Sequence, residues 1–197
     1  MSRRFSGLIL LALSLGAAVA AAESPPEETR ASPRIEALSV GIQDGVVLVS
    51  FRLAGALDAD LRAQIASGLE TSFNYRVELL RRRRFWPDAR LQDHQVTTSV
   101  KFDSLSRQYG LALRLDGEVE RSSTTDKADE MERWLTEVHE IPLGPPAELS
   151  PPEDYSVRVK ANFPLHFIFY FIPWNHDTPW ARTSLPSASL TDHGPLP

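Results

Sequence analysis

Five histidines are the first residues to test for chemistry: His94, His139, His166, His176 and His193. A protein metal site needs three or four convergent ligands, and in helical sites two of them stand one turn apart. No two of these histidines are three or four residues apart, the chain has no cysteine, and no His-Glu-x-x-His pattern occurs. Each histidine is therefore expected to be structural or solvated. Nucleophilic catalysis fares no better: no serine stands in a Gly-x-Ser-x-Gly elbow, and the tight Asp192-His193 pair falls near the C-terminus. Glu118 and Glu120 alternate along one strand face, where exposed carboxylates are ordinary. The expectation is a chain with no catalytic residue, no metal and no cofactor.

Two other stretches have unusual composition. Arg81 to Arg84 run directly into Phe85-Trp86. At the end of a strand, successive arginines point to opposite faces, so the run reads as a solvated strand end that guards an edge. Its sharper reading is a contact with anionic lipid or an acidic partner. The second stretch, Phe163 to Trp180, holds seven aromatic residues. Its apolar centre, Leu165 to Ile172, is far shorter than the roughly 20 residues of a membrane span. It reads as a buried closing element of the core, or as an aromatic surface for a partner or a membrane interface. The candidate partner or ligand contacts are Phe167, Phe169, Phe171, Trp174 and Trp180.

Hydropathy periods supply the elements that would hold these residues. Leu38, Val40 and Ile42 alternate, Asp44-Gly45 supplies a hairpin turn, and Val47, Val49, Phe51 and Leu53 alternate on the return. The period then lengthens to four over Leu57, Leu61, Ile65, Leu69 and Phe73, behind an N-cap at Asp58, which predicts a helix with Gly68 inside it at a close contact. Alternation resumes at Tyr75, Val77 and Leu79. It continues after the Trp86-Pro87-Asp88 turn at Val96, Thr98, Val100 and Phe102, and a third strand is expected over Tyr109 to Val119. Asp126 to His139 returns to helical spacing, with Ala128, Met131, Leu135 and Val138 on one stripe and Asp129 four residues before Arg133. Ile141 to Pro152 is too rich in proline for regular structure. A last strand places Tyr155, Val157, Val159, Ala161 and Phe163 on one face and Arg158 and Lys160 on the other.

The ends bear on location. Arg3 and Arg4, the apolar run Leu8 to Leu15 and the small residues Gly16 to Ala22 have the order of a secretory signal, with cleavage expected near Ala20 or Ala22. Residues 23–33 are acidic and proline-rich and read as a flexible spacer. The ordered domain is expected over 34–181, with a disordered tail over 182–197. The full chain carries a net charge of −5, and loss of the leader would remove Arg3 and Arg4 and make it more acidic, so nucleic acid is an unsuitable partner. Without cysteines, stability in an oxidising compartment must come from an apolar core.

Several of these features together resemble an uncharacterised family of exported proteobacterial proteins, a domain of unknown function. They are the leader, the opening hairpin, the helix from Asp58, the Trp86-Pro87-Asp88 turn, the Trp134-Leu135 pair, the Tyr155 to Ala161 strand and the closing Trp174 to Trp180 segment. The resemblance covers about residues 35 to 181. It implies a periplasmic domain linked to a membrane sensor kinase, and it assigns no catalytic residue. The expected fold is α+β, with about six strands in a mainly antiparallel sheet or open β-sandwich and two helices. The expected function is non-enzymatic contact with an envelope or inner-membrane protein. The alternative is a lipid-binding or small apolar ligand-binding module that uses segment 163–180.

Overall fold

The computed structural model describes residues 32–143, 154–163 and 177–186. The chain divides after Arg30 into two units, and all of these residues lie in the second. The leader, most of the spacer and the centre of the aromatic segment lie outside the described residues.

Asp-Gly turns set the strand pattern. Strands β1 (Arg34–Gln43) and β2 (Val46–Ala54) pair antiparallel across Asp44 and Gly45, whose φ angles of 50° and 74° are the left-handed pair that a two-residue hairpin demands. Val47, Val49, Phe51 and Leu53 on the return strand are buried, as their alternation predicts. Helix α1 (Ala59–Ala66) starts at the expected cap, where the Asp58 carboxylate accepts the Leu61 N–H at 2.8 Å.

The helix is shorter than the four-residue spacing predicts. Gly68 follows it with φ 88°, Leu69 is exposed, and Phe73 already belongs to β3 (Thr71–Arg81). Gly68 is thus a chain reversal after the helix. The close approach expected there exists, because a Cβ would lie 3.3 Å from the Phe102 carbonyl oxygen.

Strand β3 pairs with the long β4 (Ala89–Asp103), and β4 with β5 (Gln108–Leu115). The single strand expected over Tyr109 to Val119 is in fact two. A second left-handed Asp-Gly pair, Asp116 and Gly117, turns the chain into β6 (Glu118–Thr125) and leaves Val119 exposed. Helix α2 (Ala128–Thr136) buries Met131 and Leu135, and its Asp129 and Arg133 pair at 3.3 Å. Val138, expected on the helical stripe, instead lies in β7 (Glu137–Pro142). Strand β8 (Tyr155–Asn162) has the predicted parity. The tail expected from residue 182 is corrected as well: β9 (Ala181–Ser184) pairs with β8, and Leu185 beyond it is buried.

The strands form two antiparallel sheets, β1-β2-β7 and β6-β5-β4-β3-β8-β9. The α+β class with mainly antiparallel sheets is as expected, with nine strands among the described residues where about six were foreseen. One core joins both sheets and both helices. The Phe51 and Tyr75 rings meet edge to face at 4.9 Å between the sheets. The Tyr75 and Thr98 hydroxyls both donate to the Leu135 carbonyl oxygen, at 2.8 and 2.9 Å, which satisfies an acceptor at the end of α2 and fixes that helix to the large sheet. No helix among the described residues is long and apolar enough to cross a membrane.

Candidate functional site

The face of the large sheet opposite the core carries the densest set of charges. Strand alternation places Arg76 and Glu78 of β3 there, beside Asp93 of β4, Arg158 and Lys160 of β8 and Arg182 of β9. Glu78 faces Asp93 directly across the β3–β4 pair, an arrangement of like charges that is unfavourable alone. Two arginines resolve it. Arg76 lies 3.1 Å from Glu78 and 2.5 Å from Asp93, and Arg90 lies 3.3 and 3.0 Å from the same two carboxylates. Arg158 approaches Glu78 from the other side at 2.6 Å.

Glu78 is only 1% exposed, so a carboxylate lies under three guanidinium groups that reach solvent. A buried charge needs such partners, because leaving it unpaired in the protein would be costly. The hydrogen bonds from Arg76 hold Asp93 below the usual carboxylate range, and the same contact raises Arg76. Both groups therefore stay charged at neutral pH.

Trp180 covers one end of this network. Its ring lies 4.2 Å from the Arg158 guanidinium carbon and 5.3 Å from the Lys160 ammonium, both within cation–π range. Backbone stitching explains the placement. Thr178 donates its N–H to Ala161 O, its hydroxyl accepts the Ala161 N–H, and Asp177 pairs with Lys160 at 2.7 Å. Trp180 follows two residues later, directly ahead of β9, and is 37% exposed. At the neighbouring edge, Arg182 donates to the Ser156 hydroxyl and pairs with Asp88, whose carboxyl it holds below the usual range.

Of the contacts chosen from sequence, Trp180 is the one this geometry includes. Phe167, Phe169, Phe171 and Trp174 lie outside the described residues. Phe163, at the start of the aromatic stretch, turns inward and meets the Phe73 ring at 5.6 Å. Glu78, Arg76, Arg90 and Asp93 were not chosen from sequence. Their signal was a charged residue at position 78 within the apolar alternation of a strand, and only the register reveals what it opposes.

The two described histidines, His94 and His139, lie beside separate carboxylates. His94 contacts Asp116 at 2.6 Å and His139 lies 3.5 Å from Glu137, and among the described residues no three metal-ligating side chains converge. His166, His176 and His193 lie outside the described residues. A cleft of about 310 Å³ between β5, β6 and α2 has Leu111, Leu113 and Trp134 in its wall. Its charged groups are engaged locally, with Arg121 donating to His139 O at 2.6 Å and Glu130 held by Thr125 and Lys127.

Residues 30–184 match the domain of unknown function DUF4390, and the chain belongs to that family. No curated protein and no solved structure matches the chain.

Proposed function

We propose that this chain is a non-catalytic protein of the bacterial envelope that works by protein contact. The proposed contact surface is the charged face of the large sheet, centred on Trp180. The observation that carries the reading is the Trp180 ring seated over Arg158 and Lys160 above the buried Glu78. Tryptophan and arginine dominate the energetics of protein interfaces. Here the arginines are already fixed by carboxylates, so a partner would meet an ordered surface and little side-chain freedom would be lost on binding. The charges on this face neutralise one another, which suits recognition by a partner more than proton transfer to a substrate.

The order of residues in the first 22 positions supports export, and it directs attention to envelope partners. The sensor region of a membrane kinase is the partner to test first. Titration of a purified sensor region with the wild-type chain and with Trp180→Ala is the decisive assay. A loss of affinity of at least tenfold in the variant is expected, in line with truncation of an interface tryptophan. Equal affinity of the two chains would overturn the assignment of this face.

A further inference from the structure

The β3–β4 connection carries a second surface. Arg81 ends β3, and Arg82 to Pro87 project between the strands. The connection is anchored at both ends. The Arg82 N–H donates to Asp154 O at 2.7 Å, and the Asp88 carboxylate pairs with Arg182. Between these anchors Phe85 is 86% exposed and Trp86 75% exposed. None of the four arginines forms an ion pair with a carboxylate among the described residues, and Asp88, the one acid in the connection, is engaged by Arg182.

Phe85 and Trp86 form an adjacent exposed apolar pair, the kind of surface that marks a protein or membrane contact. Cations beside aromatic rings at a projecting tip match the bilayer interface, where aromatic rings sit at headgroup depth and arginines meet lipid phosphates. An acidic polypeptide would engage the arginines but gives no reason for the aromatic pair. The chain as a whole is acidic, at −5, so attraction to an anionic surface needs a local basic cluster such as this tip, which would orient the domain. We infer that the Arg81–Trp86 tip docks on the surface of an anionic phospholipid bilayer, with Phe85 and Trp86 entering the headgroup layer. The tip adjoins the Trp180 face through the Asp88–Arg182 pair, but its bilayer contact uses other side chains, Arg81 to Trp86.

The test is co-sedimentation of the full chain with vesicles of phosphatidylcholine, and with vesicles containing equal parts of phosphatidylcholine and phosphatidylglycerol. The first 22 residues are common to every variant, so differences between variants report the tip. Wild type should prefer the anionic vesicles and release them at high salt. Each basic residue at an anionic surface is worth about a fivefold gain, so Arg82→Gln, Arg83→Gln and Arg84→Gln combined should weaken binding about a hundredfold. Phe85→Ser with Trp86→Ser should weaken it about tenfold and abolish the blue shift of tryptophan emission on binding. Trp180→Ala should bind vesicles as wild type does. All of these changes lie at exposed positions, and an unchanged thermal transition checks that the fold persists. Equal binding of wild type to both vesicles, or anionic binding undiminished in the triple glutamine variant, would overturn the inference. So would retention of a soluble acidic polypeptide in place of vesicles.

Discussion

The two faces of the large sheet are built from the same strands by opposite means. On the inner face Tyr75, Val77, Val96 and Leu113 join a continuous apolar core, and the Tyr75 and Thr98 hydroxyls there serve one helix-end carbonyl. On the outer face Arg76, Glu78, Asp93 and Arg158 exchange charge-assisted contacts, and one tryptophan lies over the edge of that network. The inner face gains its energy from area removed from water. The contribution of its apolar side chains depends on volume and shape. The outer face derives little net stability from half-exposed ion pairs, but they hold side chains in place. The difference teaches that order on a surface need not signal stability. Here it is better read as preparation for contact.

Substitutions should separate the faces. The largest stability loss is expected from Leu135→Ala, which empties a fully buried position and should cost about 3 kcal/mol in denaturant unfolding. Glu78→Gln comes next, at about 2 kcal/mol, less than removal of one partner from a fully buried pair because the guanidinium groups reach water. Tyr75→Phe should cost about 1 kcal/mol, since Thr98 still satisfies the Leu135 carbonyl. Trp180→Ala should change stability by under about 1 kcal/mol while it removes partner binding. A loss at Trp180 as large as that at Leu135 would erase the distinction between the faces.

Acid titration gives the smallest effect. Asp93 is depressed in the folded chain by Arg76, so its contribution is present above the unfolded value near 3.9 and is lost as pH falls through the folded value. Wild type should therefore lose more stability than Asp93→Asn on acidification below about pH 4, read from unfolding midpoints at stepped pH. Parallel curves for the two chains would remove Asp93 from the account.

Local pattern made the strands legible where one face is dry and the other wet. Val47 to Leu53 and Tyr155 to Ala161 needed no more than their alternation. The helical spacing overruns both helices, because Leu69, Phe73 and Val138 continue it by coincidence while the backbone at Gly68 and after Thr136 leaves the helix. The first Asp-Gly turn interrupts the alternation and is legible, whereas the second is hidden because Leu115 and Val119 keep the same parity across it. Only the residue type of Trp180 marks it in the sequence. The network beneath it depends on pairing between β3 and β8, eighty residues apart for Glu78 and Arg158, and no local period encodes that register.

The central claim is that the Trp180 face is where this protein meets its partner. Photo-crosslinking in living cells from a probe at position 180, with a control probe at the exposed Leu105 in the β4–β5 turn, tests it most directly. The account predicts one envelope protein recovered repeatedly from position 180 and not from 105. Recovery of the same proteins from both positions, or of none from 180, would contradict it.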